Sequence, residues 1–222
     1  MPMSTVADVS PPMVWITVAD LFEQLGHVPQ ERVLLVPTPG TATEKDVLDL
    51  IDHSDRICEL VDGVLVEKTM GYLESMLAGA ILELLRGFVR KRKLGIVLGA
   101  DGTLKILRNQ VRIPDVCFIS WDRFPGGRLP KTPIPAVAPD LAVEVLSDSN
   151  TEGEMRRKLQ DYFTAGVRLV WYVDPRTRTA SAYTSPEHCT VFDENGVLTG
   201  GDVLPGFELP LRELFVEMDA VG

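Results

Sequence analysis

Residues for soft-metal and redox chemistry are scarce in this chain of 222 residues, which has three cysteines and three histidines. Cys58, Cys117 and Cys189 lie far apart and form no Cys-x-x-Cys pair, which excludes a disulfide scaffold and a dithiol redox centre. An odd, scattered set of thiols suits a reduced compartment, and a cytoplasmic location is the expectation. His27, His53 and His188 fall in no HxH or HExxH spacing, so zinc hydrolase and deaminase motifs are missing. There is no GxSxG, no P-loop and no GxGxxG after a strand, which leaves serine nucleophiles, nucleotide hydrolysis and dinucleotide redox unsupported. No apolar run approaches the ~20 residues of a membrane-spanning helix, so no membrane partner is expected. The N-terminus lacks a basic segment followed by an apolar one, and no signal peptide is predicted.

Positive charge is also short. Lys and Arg number 22 against 32 Asp and Glu, a net charge of −10. Averaged over the chain, this argues against a phosphate-binding protein. The distribution is uneven. Residues 1–85 carry 4 basic and 14 acidic groups, residues 86–131 carry 11 and 3, and residues 132–222 carry 7 and 15. A basic block of +8 therefore sits between two acidic ones, a weak pointer to a polyanion site. With 45% apolar residues, the chain can bury a core without disulfides.

Residues 1–14 read as a loose tail, followed by two short helices, Val18 to Leu25 capped by Thr17 and Thr43 to Ile51 capped by Thr43. Ile57 to Val61 and Val64 to Lys68 are strands joined by Asp62-Gly63, a strong hairpin signal. Leu73, Met76, Leu77, Ala80, Ile81, Leu84, Leu85, Phe88 and Val89 then form one helical stripe, ending at Arg90-Lys91-Arg92-Lys93. Strands are expected at Gly95 to Leu98, Thr103 to Leu107 and Val111 to Ser120, with five prolines in the loop at 122–139. Asp140 to Ser147 and Val167 to Val173 read as buried strands around a helix at 151–165. Strand, helix and strand with a short crossover demand a parallel pair. Thr179 to Thr184 pairs with the second of these strands, and the tail adds a hairpin and a short helix from Pro210. The expected architecture is a mixed-sheet α/β domain, with the long helix on one face and the 151–165 helix on the other.

Four ionisable residues stand out. Glu144 lies in Leu141-Ala142-Val143-Glu144-Val145-Leu146, where an ionised carboxylate is costly without a cation. Asp115 follows Pro114, which marks a strand edge or a bulge that re-aims a neighbouring side chain. Lys158 lies on the border of the Met155, Leu159, Tyr162 and Phe163 stripe, within reach of the strand end that carries Glu144. Glu59 lies on the first hairpin strand as a further acid. Taken singly, each has a plain structural alternative: an ion pair, a solvated strand-edge acid or a snorkelling lysine. Together, two carboxylates can hold Mg²⁺, which prefers hard oxygens and keeps several waters. The lysine can then orient or deprotonate a water, or stabilise developing charge.

The ordered stretches Glu59-Leu60-Val61-Asp62-Gly63, Arg112-Ile113-Pro114-Asp115, Pro139-Asp140-Leu141-Ala142-Val143-Glu144-Val145, Lys158 with Tyr162, and Trp171-Tyr172-Val173-Asp174-Pro175 resemble the Uma family of restriction endonucleases, a branch of the PD-(D/E)XK nuclease superfamily. The resemblance covers residues 56–184. It implies a restriction-endonuclease-like core, a mixed sheet flanked by helices. Around this core stand an N-terminal helical extension over residues 1–55 and a C-terminal extension with a β-hairpin over residues 185–222. Pro114-Asp115 matches the Pro-Asp of the family and Glu144 matches the acid of (D/E)XK. The lysine expected at position 146 is Leu146 here, and Lys158 from the following helix matches its replacement. Glu59 matches an early glutamate, whereas Glu74 stands where many relatives carry histidine.

The implied activity is Mg²⁺-dependent hydrolysis of DNA phosphodiester bonds, with Mn²⁺ as a substitute. Asp115, Glu144 and the Val145 carbonyl would bind metal, Lys158 would position the attacking water, and Glu59 would assist. A non-catalytic nucleic-acid-binding or assembly module on the same fold is the alternative, and a hydrolase of small phosphate esters is a third reading. The resemblance leaves room for a homodimer, with hydrophobic edges at 179–207 available for it. The +8 block is expected to place a positive rim beside the acids.

Overall fold

Apolar runs and their turn residues account for most of the elements. The computed structural model describes residues 15–219, and the tail expected at residues 1–14 lies outside that range. In chain order the elements are α1 (Val18–Gln24), α2 (Glu44–His53), β1 (Cys58–Val61), β2 (Val64–Glu67), α3 (Tyr72–Arg92), β3 (Gly95–Leu98), β4 (Leu104–Leu107), β5 (Gln110–Arg112), β6 (Val116–Ser120), β7 (Leu141–Val145), α4 (Glu152–Thr164), β8 (Leu169–Asp174), β9 (Thr179–Ser185), β10 (His188–Phe192), β11 (Val197–Thr199), β12 (Glu208–Pro210) and α5 (Leu211–Asp219). Thr17 and Thr43 close capping boxes with Asp20 and Asp46, which satisfies free N–H groups at the starts of α1 and α2. Asp62 and Gly63 both take positive φ, as the two-residue turn between β1 and β2 requires.

The strands form a central six-stranded sheet in the order β10-β9-β8-β7-β6-β3, a four-stranded sheet in the order β2-β1-β5-β4, and the β11-β12 hairpin. In the central sheet only β7 and β8 run parallel, with Glu144 opposite Tyr172. The crossover between them is α4, as the spacing predicted. Leu77, Ile81, Leu85 and Val89 of α3 pack on one face of this sheet against Val116, Phe118, Leu141 and Val143. Met155, Leu159 and Tyr162 of α4 pack on the other, against Cys117, Ala142 and Val170. The two helices cover opposite faces, and each fully buried Leu or Ile stabilises the fold by roughly 1.5–3 kcal/mol. Leu209, Leu211 and Phe215 join the α3 side of this core, and β10 forms an edge of the central sheet.

One expected element divides. The run from Val111 to Ser120 is two strands, β5 and β6, in different sheets. Pro114 lacks the N–H that a ladder needs, so hydrogen bonding stops there and the chain crosses from the small sheet to the central one. The candidate acids gather at this crossing.

Candidate active site

Asp115 stands just past the proline, one residue before β6. In β6, Val116 pairs with Val143 of β7, so the register carries Asp115 towards Glu144 and Val145. The Val145 N–H donates to Asp115 Oδ2 at 2.7 Å, and Asp115 Oδ1 is 2.8 Å from Lys68 Nζ. Lys68 leaves the end of β2 and donates also to the carbonyls of Ile113 at 2.7 Å and Ala100 at 3.2 Å. Two stretches distant in sequence thus hold the Asp115 carboxylate in place.

Glu144 projects from β7 towards α4. There Lys158 and Tyr162, one helical turn apart, lie on the same helix face and reach it together. Lys158 Nζ is 3.0 Å from Glu144 Oε2, and the Tyr162 hydroxyl donates to Glu144 Oε1. The same ammonium is 3.3 Å from Glu59 Oε1. Glu59 also accepts from the Ile113 N–H at 3.0 Å, while Arg112 Nη1 donates to its Oε2 at 2.7 Å. Arg112 Nη2 pairs in turn with Asp161 of α4. Glu59, Asp115, Glu144 and Lys158, singled out from the sequence, all enter one network, and each is 3–4% exposed.

The electrostatics separate the two glutamates. Burial alone would raise Glu59, but Lys158, Arg112 and the Ile113 N–H outweigh it and hold the carboxyl down at about 2. Glu144 is raised, chiefly by burial and further by the charges of Asp115 and Glu59, with Lys158 and Lys68 opposing. Burial opposes the charge on Lys158, yet Glu144 and Glu59 more than restore it and raise its proton affinity. Lys158 is therefore a fixed cation. It can orient a water or stabilise negative charge, but it is a poor general base.

Sequence reasoning missed Lys68, and it placed Arg112 in a motif without giving it a role. Lys68 lies two and four residues after Val66 and Val64, on the face that those buried valines share. That alternation was the available signal. Arg112 ends a strand whose three residues are all buried, and a buried arginine needs an acid to meet it. Asp161 could be found only from the fold.

The basic run at the end of α3 is not beside the acids. Gly95 pairs with Ser120, and the Trp121 N–H donates to the Leu94 carbonyl at 3.1 Å. This puts Arg90, Lys91, Arg92 and Lys93 at the far end of β6, about 17 Å from Asp115 by strand rise. Arg123 pairs with Asp140 at 3.0 Å and Arg112 is enclosed by acids. Of the block, Arg112 is the member that meets the acids, and it is joined there by Lys68 and Lys158 from outside the block. Sequence proximity to Asp115 misled, because α3 and β6 carry their neighbours away along their own lengths.

Among the described residues, no three His, Cys, Asp or Glu side chains are grouped to hold a metal ion. Mg²⁺ does not need three, since it binds through one or two carboxylates and retains waters. Asp115 and Glu144 could supply the hard oxygens. The Val145 N–H points to Asp115, and in an extended strand the carbonyl of a residue faces the same side as its N–H, so the third donor also fits. Glu59 is engaged by Arg112 and the Ile113 amide and braces Lys158 rather than joining that set.

A family described as "Putative restriction endonuclease", Uma2, matches residues 44–212. The chain belongs to the Uma2 family. The match spans all four candidate residues and the strand–helix–strand unit that carries Glu144 and Lys158. A solved structure described as a putative nuclease belonging to DUF820, from Anabaena variabilis, is similar to the chain with a TM-score of 0.65 at 18% identity, over 73% of this chain and 92% of that one. At that identity the likeness shows a shared fold. None of the curated proteins compared with the chain matches it. No helix among the described residues is long and apolar enough to cross a membrane.

Proposed function

We propose that this Uma2-family chain is a divalent-metal-dependent endonuclease that hydrolyses DNA phosphodiester bonds. The observation that carries this reading is the meeting of Asp115 and Glu144 at the crossing between two sheets, with the Lys158 ammonium 3.0 Å from Glu144. Asp115, Glu144 and the Val145 carbonyl would hold Mg²⁺ or Mn²⁺. When bound, the ion lowers the pKa of a coordinated water and draws charge from the phosphodiester.

The remaining work falls to the chain. Tyr162 and Lys158 hold the two oxygens of Glu144, and the Val145 N–H and Lys68 hold those of Asp115, so the acids are positioned before substrate arrives. Glu59 keeps Lys158 charged and aimed. That ammonium can orient the attacking water and stabilise the pentavalent phosphorane charge. The raised Glu144 is the group whose ionisation gains most from an added cation.

The test is plasmid cleavage in Mg²⁺ or Mn²⁺ by the wild type and by Asp115→Ala, Glu144→Ala and Lys158→Ala. Cleavage by the wild type alone is expected. Equal cleavage by all four proteins would identify a contaminant and overturn the assignment. Salt-sensitive DNA binding without cleavage would point instead to a binding module.

A further inference from the structure

Asp115 is neutralised by a lysine from outside the motifs that carry the family resemblance. The Lys68 backbone N–H is pinned to the Ile57 carbonyl at 2.8 Å, and its side chain is 8% exposed. Its Nζ meets Asp115 Oδ1, the Ile113 carbonyl and the Ala100 carbonyl at 2.8, 2.7 and 3.2 Å. An ammonium has three protons, and these three oxygens take them all. One carboxylate and two carbonyls in a nearly dry setting are the kind of hard-oxygen seat that a divalent cation also uses.

We propose that Lys68 is a built-in counter-cation of Asp115, a positioning residue whose ammonium competes with a divalent ion and so sets how tightly the site takes it. The proposal rests on the metal-dependent reading above. Lys68 and Lys158 are the cations that face Asp115 and Glu144, while Arg112 and Arg157 are taken up by Glu59 and Asp161. Neutralising Lys68 deepens the negative potential at Asp115. The carboxylate keeps its orientation, because the Val145 N–H still holds Oδ2 at 2.7 Å. A merely structural lysine predicts the opposite, since a loosened Asp115 would bind metal more weakly.

The experiment is calorimetric titration of MnCl₂ and MgCl₂ into the full chain, with thermal melts to verify folding. The proteins are the wild type, Lys68→Met, Lys68→Gln, Lys68→Arg and Glu144→Gln. The wild type is expected to bind one ion, which Glu144→Gln abolishes. Lys68→Met and Lys68→Gln are expected to bind about tenfold tighter or more, as loss of a like charge at this range implies, and Lys68→Arg to match the wild type. Unchanged or weaker binding in both folded neutral variants would overturn the role of Lys68 while leaving the metal site standing. Failure of both neutral variants to fold would mark Lys68 as a strut and overturn the role equally. No binding by any of the proteins would overturn the metal-dependent reading and the proposal with it.

Discussion

Replacing Glu59 by Gln tests the ionic network at its most enclosed point. The carboxyl is 3% exposed and lies against Arg112 at 2.7 Å and Lys158 at 3.3 Å. Its proton affinity falls from 4.5 in an unstructured chain to about 2 in the fold. At 1.36 kcal/mol per unit, that difference is worth about 3 kcal/mol at neutral pH. The sign follows from the direction. A lowered carboxyl pKa means that the unfolded chain binds the proton more tightly, so the stabilisation is complete above pH 4.5 and drains away as pH falls towards 2. Urea unfolding of the wild type and Glu59→Gln at pH 7 should show a loss of about 3 kcal/mol, shrinking to about 1 kcal/mol at pH 3. The amide keeps the shape but turns one accepting oxygen into an NH₂ that faces a donor, so the charge contribution is read from the pH dependence of the loss. A variant as stable as the wild type at pH 7, or a loss that does not depend on pH, would refute the reasoning. Arg112 and Lys158 would then be satisfied without Glu59.

Two further outcomes follow from packing and hydrogen bonding. Gly153→Ala in α4 should destabilise the protein, because the new Cβ would meet the Gly26 carbonyl oxygen at 2.6 Å, whereas Gly79→Ala and Gly87→Ala in α3 meet nothing within 4 Å and should stabilise by about 0.5–1 kcal/mol. Thermal melts of the three variants decide this, and a gain in all three would refute the close approach of the turn after α1 to α4. Tyr162→Phe removes a buried hydroxyl that donates to Glu144 and should lower stability by about 1–3 kcal/mol, read by urea unfolding at pH 7. No loss would mean that water replaces the donor.

Local patterns were enough for many elements. Thr17, Thr43 and Thr151 mark helix starts, Asp62-Gly63 makes its turn, and the apolar stripe of α3 faces the sheet, because each depends on residues only a few positions apart. Glu144 was legible for the same reason, as a charge in a strand buried from end to end. Lys158 was legible as a border position reaching back along its own crossover. The run from 111 to 120 was misread because its apolar pattern continues through Pro114, while the hydrogen bonding does not.

By itself, then, the sequence determined the mixed α/β order, the parallel pair around α4, the acids and lysine of the family pattern, and which positions are apolar. Tertiary structure alone decided how those acids are neutralised. Lys68 reaches Asp115 across 47 positions, Arg112 lies between Glu59 and Asp161, and the basic end of α3 is carried to the far end of the sheet. The reason is physical. Periodicity reports which way a residue faces within its own element, whereas an ion pair depends on which two elements the core packing brings together.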